Sequence, residues 1–141
     1  MILYLDTSAL LKLYLREEGT DVVKALVQRA TMVATSLVTY AESRAALARA
    51  RSSGRLDAGM YRIVLGAFQR EWESYVAEDI SEPLIRLAGD LAEKHLLRGF
   101  DGIHLASAVT LQQESDEPIS FSAWDERLTA AAAAEGLALA A

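Results

Sequence analysis

Short apolar runs alternate with longer amphipathic segments along the chain. The buried run Ile2–Leu5 and the β-branched run 31–35 predict two strands, and residues 75–80 and 119–121 predict two more. Residues 137–139 predict a further edge strand at the end of the chain. The pattern therefore indicates a sheet of four to five short strands.

Apolar residues at helical intervals fill the segments between these strands. The predicted helices cover residues 7 to about 15, 20–30, 36–50, 57–75, 84–97, 100–113 and 125–135. Thr20 stands where a side chain would cap the second of them. Strands that alternate with helices predict an α/β fold, here a three-layer sandwich whose mainly parallel sheet is flanked by helices.

Length and composition indicate one domain over residues 1–141. The chain is 52% hydrophobic, which is enough for a substantial core. It has no cysteine, so disulfides, thiolate metal sites and cysteine nucleophiles are excluded. No apolar run is long enough to span a membrane, and Met1 leads directly into the first strand. We therefore expect a cytoplasmic protein with no membrane partner.

Four acidic residues are candidates for a site, and two of them follow strands, where an α/β fold places its ligand crevice. Asp6 directly follows the first strand, and Asp125 follows the strand at 119–121. Glu42 borders the buried face of the third helix, and Asp101 stands at the start of the sixth. Each also has a simpler interpretation: a helix cap for the three aspartates and a solvated helix position for Glu42.

As a set, the four carboxylates indicate a metal site. Two unit charges about 4 Å apart repel by roughly 4 kcal/mol at an effective dielectric near 20, so a close group requires protonation or a cation. Oxygen ligands without cysteine or paired histidine favour Mg²⁺ or Mn²⁺, which support hydrolysis of phosphodiesters. The sequence has no nucleophile elbow, P-loop or dinucleotide fingerprint that would point to another chemistry.

Four segments in order resemble the conserved blocks of the PIN-domain family, in particular its VapC-type toxins. They are ILYLDTSALLKLYLREEG, SLVTYAESRAALARA, LLRGFDGIHLASAV and FSAWDERLTAAAAAEGL. The resemblance covers essentially the whole chain. It implies a parallel sheet flanked by helices and a ribonuclease that is the toxin of a type II toxin–antitoxin pair.

The resemblance also implies roles for the acidic residues and a set of partners. Asp6, Glu42 and Asp101 would bind one or two Mg²⁺ or Mn²⁺ ions, with Asp125 as the fourth acid. The substrate would be RNA, such as structured tRNA or rRNA, the protein would be a homodimer, and a cognate antitoxin would cover the site.

Three further side chains are candidates to support the site. Ser8 follows Asp6 closely, and Ser122 precedes Asp125 with two residues between them, where family members often carry a hydroxyl closer to the aspartate. His104 lies three residues after Asp101 and therefore on nearly the same helix face. It fits either a role in the site or that of a hydrogen-bonded packing residue.

The net charge of −6 is unfavourable for a nucleic-acid partner, although a metal site concentrates negative charge by itself. Lys12, Arg16, Arg44 and Arg98 are the candidate phosphate contacts, with solvated surface positions as the alternative. Three other functions remain open: a DNA nuclease of the same fold, a non-catalytic RNA-binding inhibitor of translation, and a phosphoaspartyl switch. The last is disfavoured because no acidic pair follows the first strand.

Overall fold

The computed structural model describes residues 1–140, so Ala141, the last residue of the predicted domain, lies outside the described part. Strands and helices alternate along it: β1 (Ile2–Leu5), α1 (Thr7–Leu11), α2 (Thr20–Arg29), β2 (Met32–Ser36), α3 (Val38–Ser52), α4 (Ala58–Trp72), β3 (Val76–Glu78), α5 (Glu82–His95), α6 (Gly99–Glu114), β4 (Ile119–Ser122), α7 (Glu126–Ala134) and β5 (Ala138–Leu139).

The five strands form one sheet in the order β3-β2-β1-β4-β5. Every neighbouring pair is parallel, so each connection crosses over through one or more helices. The first strand lies at the centre, and the chain builds outward to β2 and β3 before it returns to β4. Because all strands point the same way, residues that follow β1, β2 and β4 meet at one edge of the sheet.

Side chains of β1 alternate between two cores, as a central strand requires. Ile2 and Tyr4 pack in a core formed with α5, α6 and α7. Leu3 and Leu5 pack on the opposite face in a core formed with α1 to α4. Helices therefore cover both faces of the sheet, and the predicted three-layer α/β fold is confirmed.

The segment after β1 differs from the prediction. Helix α1 ends at Leu11 and not near residue 15, because the amides of Leu13 and Tyr14 bond to carbonyls three residues back. Thr20 does not cap α2 but begins it, after Gly19 in a left-handed conformation with φ of 92°. The Thr20 hydroxyl instead accepts a hydrogen bond from the Glu17 amide, 3.0 Å away.

Within residues 1–140, no helix is long and apolar enough to cross a membrane.

Helices α5 and α6 pack closely because α6 carries a glycine at their contact. A Cβ built on Gly102 would lie 2.6 Å from the Ala88 carbonyl oxygen and 3.1 Å from the Ala92 Cβ. The carbonyl belongs to the backbone of α5, so it has no rotamer by which to move away. Gly102 follows Asp101, and its small size therefore helps to set where this carboxylate lies.

We expect Gly102→Ala to destabilise the fold by about 1–3 kcal/mol, because the added methyl overpacks the contact between α5 and α6. Gly89→Ala is the matched control, since a Cβ there would meet nothing within 4 Å. In that variant the free energy of unfolding should rise by up to about 1 kcal/mol, as expected for alanine in a helix interior. Urea denaturation measures both, and equal stability of the two variants would contradict the packing argument.

Candidate active site

A cleft of about 360 Å³ opens at the carboxyl-terminal edge of the sheet. Its lining brings all four predicted carboxylates together from four separate parts of the chain. The cleft-lining residues are Asp6, Thr7, Ser8, Leu11, Glu42, Arg98, Asp101, His104, Trp124 and Asp125. The shared edge of parallel strands β1, β2 and β4 explains why residues so distant in sequence meet here.

Asp6 is the most buried of the four acids, at 5% exposure. It caps α1 by accepting the Ala9 amide at 2.8 Å, and the Ser8 hydroxyl reaches its two oxygens at 2.8 and 3.0 Å. Burial nevertheless raises the pKa of Asp6 above its ordinary value, and the nearby Asp101 raises it further, against the opposing effects of His104, Ala9 and Ser8. Asp6 therefore both caps α1 and lines the cleft, so its two interpretations do not exclude each other.

Glu42 lies on α3 and points to the first turn of α1. Its Oε1 accepts a short hydrogen bond from the Thr7 hydroxyl, and His104 Nε2 lies 3.3 Å from the same oxygen. Burial acts to raise the pKa of Glu42, but the hydrogen bonds from His104 and Thr7 outweigh it, so this pKa lies below its ordinary value. Glu42 is therefore an ionised carboxylate held by defined donors, and not a solvated helix residue.

His104 is 2% exposed and connects the cleft to the core. Its Nδ1 lies 3.0 Å from the Tyr4 hydroxyl, and its Nε2 lies 3.1 Å from the Thr7 hydroxyl. Neither Tyr4 nor Thr7 was among the predicted site residues. Thr7 stands next to Asp6, and its partners in the site lie 35 and 97 residues away along the chain.

Asp101 and Asp125 lie on the other side of the cleft, with side chains 14% and 40% exposed, compared with 28% for Glu42. Arg98 joins them: its Nε lies 3.0 Å from Asp101 Oδ2 and its Nη2 lies 3.8 Å from Asp125 Oδ2. Asp101 is the third residue of α6 and does not cap it. Asp125 does cap α7, through Oδ1 and the Leu128 amide at 2.9 Å, which leaves Oδ2 on the cleft side.

The other predicted site residues have different environments. Ser122 is fully buried and does not line the cleft, its hydroxyl lacks a hydrogen-bond partner within residues 1–140, and its carbonyl accepts the Asp6 amide at 3.2 Å. Lys12 is buried against the Trp124 ring and paired with Glu17 at 2.9 Å. This environment suits a structural cation better than an RNA contact.

Arg16 and Arg44 also lie outside the cleft. Arg16 is exposed and paired with Asp21 at 2.9 Å. Arg44 donates to the Tyr40 hydroxyl at 2.9 Å and lies over the ring of that tyrosine. Of the four predicted phosphate contacts, Arg98 is the one that the structure brings to the carboxylates.

The donor chemistry of the cleft fits a hard divalent cation, because its acidic side chains offer only carboxylate oxygens. Within residues 1–140, no three His, Asp or Glu side chains lie close enough together to form a preassembled ligand group. The geometry gives the reason: Arg98 draws Asp101 and Asp125 to itself, while Thr7 and His104 draw Glu42 to α1.

Comparison with known sequences agrees with this arrangement. The family model for the PIN domain matches residues 3–134. The chain belongs to the PIN-domain family and is of the VapC type. It is 34% identical over 139 residues to ribonuclease VapC45 and to ribonuclease VapC49, both of Mycobacterium tuberculosis, covering 96% of this chain and 92% of each relative.

Solved structures confirm the fold. The chain superimposes on FitAcB from Neisseria gonorrhoeae with a TM-score of 0.67, at 20% identity, over 99% of this chain and 96% of the other. It superimposes on FitAB bound to an IR36 DNA fragment with a TM-score of 0.69, at 20% identity, over 99% and 93% of the two chains. At this identity, the likeness concerns the path of the backbone.

Asp6→Asn should stabilise the metal-free protein at neutral pH. The raised pKa of Asp6 means that its ionised form costs folding free energy above that pKa, and the cost disappears as the pH falls through the raised pKa toward the ordinary carboxyl value. Asparagine removes the charge and keeps the cap. Thermal unfolding in EDTA should therefore show a higher Tm for the variant at pH 7 and a difference that closes in acid.

Asp116→Asn, an exposed acid in the loop before β4, controls for the loss of one negative charge from the protein. A lower Tm for Asp6→Asn at pH 7, or a Tm difference independent of pH, would show that burial of the charge does not govern this position.

Proposed function

We propose that this protein is a metal-dependent endoribonuclease and the toxin of a toxin–antitoxin pair. The observation that carries the proposal is the cleft in which Asp6, Glu42, Asp101 and Asp125 converge. The names of the two ribonuclease relatives, which align over almost the whole chain, support RNA as the substrate.

In this proposal Asp6, Glu42 and Asp101 hold Mg²⁺ or Mn²⁺. These residues would hold one or two ions per site, which would supply positive charge against the carboxylates and against the charge that develops on the phosphate. Asp125 Oδ2, which is not engaged in capping α7, orients the attacking water and accepts its proton. Arg98 exchanges its carboxylate partners for a phosphate oxygen of the RNA.

A second groove offers a path for the RNA backbone beside this acidic cleft. It has a volume of about 410 Å³ and shares Ser8 and Leu11 with the cleft. Arg49 and Arg55 line it. Arginine side chains in a groove next to the carboxylates can bind phosphates without contacting the metal. This position supports nucleic-acid binding despite the negative net charge.

We also propose a cognate antitoxin that covers the site, and a homodimer. The VapC-type family membership supports both partners. Helix α4 carries exposed apolar side chains, with Met60 49% and Ile63 66% exposed. Such a face suits a protein partner that packs against the pair α3 and α4.

Asp101→Asn tests the catalytic assignment. It keeps the size of the side chain but removes the charge that binds the cation, so cleavage of RNA should fall by about 100-fold or more, above the usual effect of residues that only support a metal ligand. The measurement is the initial rate on RNA with Mg²⁺ or Mn²⁺, with EDTA as a further arm. Glu126→Gln, an exposed acid outside the cleft, should cut at the wild-type rate.

Cleavage by Asp101→Asn at the wild-type rate, or full activity in EDTA, would refute a metal-dependent site at this position. Binding of RNA without cleavage by the wild type would favour the non-catalytic inhibitor instead. Preferential cutting of DNA in a parallel digestion would favour the DNA nuclease.

Arg49→Ala tests the groove. Losing one phosphate contact should raise KM for RNA and leave kcat unchanged, because the contact positions the substrate and takes no part in the reaction. The slope of log KM against log salt should fall by about 1. Arg29→Ala, which removes an exposed arginine from the end of α2, should change neither value. An unchanged salt slope in Arg49→Ala would place the RNA elsewhere.

A further inference from the structure

Six side chains form a polar network that runs from the core to the cleft. It begins at the Thr35 hydroxyl, which donates to the Leu5 carbonyl at 2.7 Å, and continues to Thr39, 2.7 Å from Thr35. Thr39 lies 3.3 Å from Thr7, which contacts both Glu42 and His104. The Tyr4 hydroxyl closes the network behind His104.

Each hydroxyl has only one proton to donate, so counting protons fixes the direction of the bonds that carry one and leaves the 3.3 Å contact between Thr7 and Thr39 without a proton. The Thr35 proton goes to the Leu5 carbonyl, so the Thr39 proton goes to Thr35. The Thr7 proton goes to the Glu42 carboxylate, the strongest acceptor within its reach. Thr7 is therefore an acceptor on the side that faces His104.

The same count assigns the histidine. His104 Nε2 faces two acceptors, the Thr7 oxygen at 3.1 Å and Glu42 Oε1 at 3.3 Å, so it must carry a proton. His104 Nδ1 then accepts the Tyr4 proton at 3.0 Å. A neutral ring without a proton on Nε2 would set a bare nitrogen against the Glu42 carboxylate.

As a result, the two carboxylate oxygens of Glu42 have different environments. Oε1 receives the Thr7 proton and the His104 contact, whereas Oε2 has no donor within residues 1–140. One oxygen is thereby fixed by the protein, and the other is free.

We propose that Thr7 and His104 are positioning residues that fix Glu42 Oε1 and leave Oε2 as the oxygen that binds the divalent cation. The inference rests on the proposed function in taking Glu42 as a metal ligand. Thr7 and His104 touch neither ion nor substrate in this arrangement. They act through Glu42, as hydrogen-bonded groups behind a metal ligand commonly do.

Two substitutions at position 7 separate the hydroxyl from the shape of the side chain. Thr7→Val keeps the branched shape and removes the proton, whereas Thr7→Ser keeps the proton. Titration of the purified protein with Mn²⁺, without RNA, measures affinity by calorimetry. We expect Thr7→Val to bind Mn²⁺ about tenfold more weakly and Thr7→Ser to stay within about twofold of the wild type.

A second pair of substitutions, at His104, tests the histidine. It keeps the proposal testable if a variant at position 7 does not fold. Glutamine can place a donor near the position of Nε2, whereas leucine cannot, so Mn²⁺ affinity should fall further in His104→Leu than in His104→Gln. Thr35→Val is the control that shows whether any loss of a hydrogen bond in the network weakens Mn²⁺ binding. It removes a buried hydrogen bond and lowers the Tm, but it should leave Mn²⁺ affinity within about twofold, because Thr35 does not contact Glu42.

Cleavage assays add a measurement that loss of fold would not reproduce. Raising the Mn²⁺ concentration should restore kcat of Thr7→Val toward the wild-type value, with KM for RNA unchanged. Folded Thr7→Val that binds Mn²⁺ as the wild type does would overturn the proposal, as would a wild type that binds no Mn²⁺. If wild type binds Mn²⁺, shows the predicted loss in Thr7→Val and yet cuts no RNA, the positioning role stands and the ribonuclease assignment fails.

Discussion

Repulsion between carboxylates at one edge of the sheet is the constraint on which the rest of the site depends. At separations near 4 Å such repulsion reaches roughly 4 kcal/mol per pair in a protein surface environment. The fold imposes it, because the parallel strands β1, β2 and β4 end at the same edge. Burial is the main cause of the raised pKa of Asp6, and repulsion from Asp101 adds to it.

The carboxylates on the two sides of the cleft are stabilised in different ways. On one side, Asp6 and Glu42 are held by hydroxyl, amide and imidazole donors that belong to the core. On the other side, Asp101 and Asp125 share Arg98, whose side chain is 80% exposed. Exposed ion pairs contribute little free energy, so this side can rearrange at small cost. The cleft thus combines two carboxylates held by the core with two held by an exposed arginine.

Sequence reasoning reached the fold and expected Asp6 and Asp125 in one crevice for reasons that are local or topological, whereas the metal-site roles of Glu42 and Asp101 came from the set of acids and the family resemblance. Alternating hydrophobic patterns indicate strands and helices, and an aspartate after a parallel strand has a known place at the sheet edge. Thr7 and Tyr4 were out of reach because their function comes from partners 35 to 100 residues away. Lys12 was assigned to RNA from its charge alone, whereas its burial beside Trp124 arises from tertiary packing.

The strand order has a consequence for the protein while it is being synthesised. The central strand β1 emerges first, but its neighbour β4 and the last acid, Asp125, come from the final fifth of the chain. A nascent chain that carries Asp6 and Glu42 still lacks the opposite wall of the cleft, and one edge of β1 remains unpaired until β4 arrives. The cleft therefore has its complete set of four carboxylates only after residue 125 has been added to the growing chain.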